Sequence, residues 1–191
     1  MRALLCSLGV AAGLALLAWE GALAENSPTF SLNAISLGVR GPTDLGLGIL
    51  EARATISPHL QFTAAPTVVA IEGGRTEHQF RTAATLLLDV GTIRLDDRNL
   101  WVFSDSGTTR YRNRMRLTQH TKINGHVLRL QLLDEQFYEE GGRGWFRNMY
   151  GVGAGVDVGR SISVDAYWMR QDDDGRRPAS LWLLMLTAHL F

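Results

Sequence analysis

Arg110-Tyr111-Arg112-Asn113-Arg114-Met115-Arg116-Leu117 carries an arginine at every second position. A period of two is the side-chain period of a β-strand, not of a helix. The four guanidiniums therefore share one face, and Tyr111, Asn113, Met115 and Leu117 share the other. What each face meets is decided by the surrounding sequence. Leu128, Leu130 and Leu132 alternate with Arg129 and Gln131 in the next run. Further on, Ile162, Val164, Ala166 and Trp168 alternate with Ser163, Asp165 and Tyr167.

Read outward in both directions, the pattern resolves into ten alternating runs, near 30–40, 45–55, 59–71, 76–88, 91–103, 108–120, 125–138, 145–157, 161–171 and 181–191. Each is about 10–13 residues, long enough to cross a bilayer at a tilt of about 45°. The connections alternate in kind. Ser57-Pro58, Val90-Gly91, Lys122 to Gly125 and Gly159-Arg160 are tight turns, whereas Glu72 to Arg75, Ser104 to Gly107, Glu139 to Gly144 and Gln171 to Arg177 are polar and mostly longer. Short turns at one end and longer loops at the other are the signature of a transmembrane up-and-down barrel. In such a barrel an arginine facing lipid near the midplane costs about 2–4 kcal/mol, so the arginine face points into the lumen. The expected fold is an all-β antiparallel barrel of ten strands, with eight as the alternative count.

The two ends fit that expectation. Met1-Arg2, the apolar stretch from Ala3 to Trp19 and the small-residue site Ala22-Leu23-Ala24 read as a signal peptide over 1–24, which leaves 25–191 as one barrel domain. The last run, Leu181 to Phe191, is uncharged, and a terminal Phe191 on an apolar strand is the assembly signal presented to the barrel-insertion machinery. The expected location is the outer membrane of a Gram-negative bacterium, with outer-membrane lipid and lipopolysaccharide as surroundings.

Composition removes other classes. Nineteen basic residues balance nineteen acidic ones, which gives nucleic acid nothing to bind. Cys6 is the only cysteine and falls in the signal region, so no disulfide or thiol chemistry is expected beyond it. Lys122 is the only lysine, and guanidinium suits fixed ion pairs in a confined space.

Carried round the barrel, the alternation gives an inward charged set: Glu51, Arg53, Glu77, Arg81, Arg94, Asp96, Arg98, Arg110, Arg112, Arg114, Arg116, Arg129, Glu135, Arg147 and Asp165. Buried charges must be paired or hydrated. The expectation is an arginine–carboxylate network filling a narrow lumen, in which Asp96 and Glu135 approach the arginines of 110–116. The alternative is a narrow channel, and an excess of arginine would make it favour anions. A third reading, a lipid-modifying enzyme, needs a nucleophile, a base and an orienting group. His78 faces lipid, His59, His120 and His126 lie near strand ends, and no histidine is assigned to the face of Ser163 and Asp165. No catalytic residue, metal ligand or cofactor is therefore assigned, and Asp172-Asp173-Asp174 reads as a solvated loop. The inward face of the first and last runs is not readable, because both faces are apolar. Pro66 suggests a bulge or an early strand end, and Gly151, Gly153 and Gly155 suggest room for arginines opposite. Trp145, Tyr150, Trp168 and Trp182 suit interfacial girdles.

Four segments carry a family resemblance: Glu77-His78-Gln79-Phe80-Arg81, Arg110-Tyr111-Arg112-Asn113-Arg114, Asp134-Glu135-Gln136-Phe137, and Arg147-Asn148-Met149-Tyr150-Gly151-Val152-Gly153. In this order, over about 77–191, the chain resembles the domain-of-unknown-function family 2490 of Gram-negative bacteria. The resemblance implies an outer-membrane barrel of about this length and no known activity. The family has Asn-Arg where this chain has Asn148-Met149, with Arg147 on the same face as Met149.

Overall fold

Ten strands follow one another: β1 Thr29–Arg40, β2 Leu45–Ser57, β3 Leu60–Ile71, β4 Arg75–Val90, β5 Ile93–Ser104, β6 Thr109–Ile123, β7 His126–Glu139, β8 Gly144–Val158, β9 Ile162–Asp173 and β10 Ala179–His189. The computed structural model describes residues 28–40, 45–71, 74–123, 126–142, 144–159 and 161–190; the expected signal peptide and Phe191 lie outside them. Each strand pairs antiparallel with its sequence neighbour, and β1 closes on β10. The alternation that makes each strand also selects its turn. Between β4 and β5, Gly91 takes φ 62°, the left-handed conformation a tight hairpin needs and a side chain resists.

Register carries the face assignment from strand to strand. Asp96 lies opposite Arg116, Arg98 opposite Arg114, and Arg114 opposite Glu135. These residues line the lumen, where Asp96 is 1% and Glu51 2% exposed. The alternate set faces outward, with Leu86, Leu130, Leu184 and Trp182 each more than half exposed. Charges inside and large apolar side chains outside invert the arrangement that water selects. The medium around the barrel wall is therefore hydrocarbon, and the fold is a transmembrane barrel.

Three sequence expectations change. Pro66 neither ends nor bulges β3, because its pairing with β4 runs unbroken through Pro66–Phe80. Only the β2 ladder lapses, between Ile49–Thr67 and Ala52–Ala64, where proline has no N–H to donate. The glycines of β8 make room chiefly for other residues: a Cβ would meet the Tyr167 ring at Gly153 and Met169 Sδ, 2.9 Å away, at Gly151. Only Gly155 clears an arginine, with Arg129 Nη2 at 2.9 Å and Asp165 beside it.

The third change concerns what fills the lumen. The inner faces of β1 and β10 are now defined. Leu181, Leu183, Met185 and Val39 pack with Phe137, Phe146, Met149, Tyr167 and Met169 into an apolar cluster inside the barrel. A bulge between Phe137 and Tyr138 allows Phe146 to join Phe137 inside, while Trp145 stays outside against Tyr138.

Candidate functional site in the barrel lumen

The inward arginines are held by carboxylates on their own and other strands. Asp96 accepts from Arg116 Nε at 2.8 Å and has Arg114 Nη2 at 3.7 Å. Glu135 pairs with Arg112 at 2.7 Å. Glu51 holds Arg53 at 2.6 Å and Arg98 at 2.9 Å, and Arg98 also donates to Thr63 Oγ1 at 3.0 Å. Arg98 stands on β5 and Glu51 on β2, two strands removed from direct pairing, so this contact reaches across the lumen. Arg110 lies between Glu139 at 3.2 Å and Glu77 at 3.9 Å. Arg129 pairs with Asp165 at 3.2 Å and with Asp157.

Not every member of the inward set joins the centre. Arg94 pairs with Asp89 at 2.7 Å, with both side chains about half exposed at the hairpin end. Arg147 is bidentate to Asp173 at the opposite rim, 2.7 and 2.8 Å. Arg81 is buried and donates twice to Gln79 Oε1, at 3.0 and 2.7 Å.

Sequence reasoning omitted Asp89, Glu139, Asp157 and Asp173 from the inward set. All four share a face with an inward arginine and bind one. They stand near strand ends, where a short alternation merges with turn residues and its phase is lost. Their inclusion matters for charge: the ten arginines of the set meet nine carboxylates rather than five. The excess of positive charge behind the anion-channel alternative largely disappears. Aromatic faces supply further partners, with the Arg112 guanidinium 4.5 Å from the centre of the Phe137 ring and Arg147 5.5 Å from that of Phe146.

A second constellation joins residues that the sequence left apart. Ser163 Oγ lies 3.1 Å from His189 Nε2, and His189 Nδ1 lies 2.9 Å from Asn33 Oδ1. His189 therefore shares the face of Ser163, against the expectation from the sequence that no histidine does. His189 reaches that face because β10 closes on β1 and pairs Asn33 with His189. A hydroxyl, an imidazole and an orienting amide are the parts of a nucleophile–base pair. The hydroxyl has one proton, however, and donates it to Asp157 Oδ1 at 2.8 Å. Asp157 in turn binds Arg129, Arg129 binds Asp165, and Asp165 accepts from Gln131 Nε2 at 2.7 Å. Gln131 Oε1 accepts from Tyr167 at 2.8 Å. The chain of contacts ties β1, β10, β9, β8 and β7 together at the seam where the barrel closes.

The arrangement can therefore hold a lumen shut, by crossed ion pairs and an apolar cluster. No protein-family model and no curated protein matches this chain. Among solved structures it is similar to a bacterial polysaccharide outer membrane secretin, at 8% identity and TM-score 0.47, covering 83% of this chain and 66% of that one. It is similar to the β domain of the Bordetella autotransporter Brka at 9% identity and TM-score 0.48, with 86% and 99% covered. LpxR from Salmonella typhimurium shares 10% identity at TM-score 0.47, with 84% and 88% covered. None of these likenesses assigns a role to a residue of this chain.

Proposed function

We propose that this chain is an outer-membrane protein of a Gram-negative bacterium with a closed lumen and a structural or interaction role. It is exported by a cleaved signal peptide over 1–24 and inserted, as residues 25–191, by the barrel-assembly machinery through its terminal Phe191. Lipid and lipopolysaccharide surround it, and it needs no cofactor. Its family is the domain-of-unknown-function family 2490, on the four segments quoted above. One observation carries the closed-lumen reading: Glu51 and Asp96 are almost fully buried inside the barrel, each between two arginines. Charges so placed are stable only when paired, and paired charges occupy the path an ion would need. The refolded protein in a planar bilayer is expected to pass no steady current. A steady anion-selective conductance, abolished by Arg112→Glu, would overturn the reading in favour of a narrow channel.

A second reading, a lipid-modifying hydrolase at the end of the barrel where β1 begins and β10 ends, rests on the Ser163–His189–Asn33 contacts and needs the Ser163 hydroxyl to turn from Asp157 to His189. A fluorophosphonate probe tests it. Covalent labelling that Ser163→Ala removes would establish an activated serine, and no labelling would make these residues part of the seam alone.

A further inference from the structure

Most of the outer wall of the barrel is apolar, but outward positions toward the longer loops are polar, among them Asn148, Arg170 and Asp172 on β8 and β9. On β5, β6 and β7 the outward positions Asp97, Asn99, Tyr111, Asn113, Asp134 and Gln136 form a polar patch. The register leaves no doubt about its surroundings. Asp97 lies between Leu86 on β4 and Met115 on β6, both exposed to the medium outside. Toward the β5–β6 loop it is roofed by aromatic rings, with Trp101 5.5 Å from Tyr111 and Tyr111 6.0 Å from Trp145. Below it the outward residues are Leu95, Leu117 and Leu132. Polar groups between an aromatic girdle and a leucine band face hydrocarbon, where an ionisable residue needs a partner.

The patch meets only part of that need by itself. Asn113 Nδ2 donates to Asp97 at 2.7 Å. Asn99 Oδ1 accepts from the Tyr111 hydroxyl and from Asn113. Three groups are left over. Asn99 Nδ2 has a single long bond, 3.4 Å to Asp97. Asp134, half-buried, and Gln136, exposed, make no ion pair or side-chain hydrogen bond among the described residues. Asn99 offers a donor and Asp134 an acceptor. They flank β6 on opposite sides: Asn99 opposes Asn113 from β5, and Asp134 opposes Met115 from β7, one step further along.

A closed homodimer of two barrels inserted in the same direction has its two-fold axis along the membrane normal, and such an interface is isologous. With the axis at β6, β5 of one copy faces β7 of the other. We propose that this wall is the interface of a homodimer, in which Asn99 of each copy donates to Asp134 of its partner across a centre made by Asn113 and Met115. Polar side chains hydrogen-bonded across an apolar interface are an established source of association in membranes. The complementarity also explains the choice of occupant: Asn99 and Asp134 each find a partner when the patch meets a second copy of itself.

The test uses the full-length protein in a Cys6→Ser background, reconstituted in phosphatidylethanolamine–phosphatidylglycerol vesicles. Met115→Cys, at the proposed axis, should oxidise to a disulfide-linked dimer. Leu184→Cys, even more exposed and on a different wall of the barrel, should not. Asn99→Asp places a carboxylate against Asp134 and should weaken the dimer about tenfold or more in sedimentation equilibrium. Asn99→Lys supplies a donor and should restore it. Heat-modifiable gel mobility confirms that each variant is folded. A monomer at all concentrations, equal cross-linking through Leu184→Cys, or a dimer indifferent to Asn99→Asp would overturn the proposal. So would cross-linking of Met115→Cys in native membranes to a different protein.

Discussion

At the scale of single residues, the lumen is organised by a few carboxylates with unequal partners. Asp96 has Arg116 at 2.8 Å and Arg114 only at 3.7 Å. Removing Asp96 leaves two half-buried guanidiniums without it, whereas removing Arg114 leaves Asp96 with its closer partner. Breaking a buried pair by deleting one side costs about 3–5 kcal/mol. Asp96→Ala is expected to fall in that range in urea titrations of the folded protein in lipid, and Arg114→Met to cost clearly less. Equal losses would mean that the 3.7 Å contact is as strong as the 2.8 Å one. Glu51 repeats the logic across the lumen, where one carboxylate fixes Arg53 beside it and Arg98 from β5.

At the scale of elements, the inner and outer faces of the strands differ in how tightly they are filled. On β8, a Cβ at Gly155 would collide with Asp165 and come within 2.9 Å of Arg129 Nη2. On the outer face of β2, where Gly48 is exposed, a Cβ meets nothing within 4 Å. Gly155→Ala is therefore expected to destabilise by about 1–3 kcal/mol through overpacking. Gly48→Ala should be neutral or slightly stabilising, and the pair can be compared in one denaturant series. Loops attach to strands by polar contacts of their own. Asp105, in the β5–β6 loop, accepts from the backbone N–H of His78 on β4 at 3.1 Å. That bond, helped by the Ser104 hydroxyl, holds the Asp105 carboxyl below the usual carboxylate range. A lowered carboxylate pKa stabilises the attached state above its ordinary value, and the effect is lost as pH falls through the lowered one. In an NMR titration the His78 amide should shift with a midpoint below about 3.9. A midpoint at or above that value would rule out the attachment.

At the scale of the whole molecule, closure is what makes both the lumen and the seam. Ion pairs reach across from β5 to β2, and an apolar cluster packs against β8, β9, β10 and β1. On the closed-lumen proposal, the two fillings are independent obstacles to flow. Removing carboxylates alone, as in Asp96→Ala with Glu135→Ala, is expected to loosen the network and give irregular leakage in planar bilayers rather than a defined conductance level. A well-defined open level in that variant would show that the charges alone close the lumen.

The alternation of arginine with apolar residues, by itself, determined the strands and which face of β6 turns inward, and closure decided for ten strands over eight. A period-two pattern with four cations leaves no other stable arrangement in lipid, so local sequence was enough. The same reasoning placed Asp96 and Glu135 on the lumen face of strands flanking β6. It could not read β1 and β10, whose faces are both apolar, because which face becomes interior depends on closure. Tertiary structure alone decided the apolar cluster, since Leu181 and Met149 meet only when distant strands share a lumen. It alone brought His189 to Ser163 and Asn33, 26 and 156 residues away in the chain. It also added the carboxylates near strand ends, whose phase a short pattern does not carry. Pairing between strands is set by local pattern and turn length, but contact across the lumen is set by the register accumulated around the closed barrel.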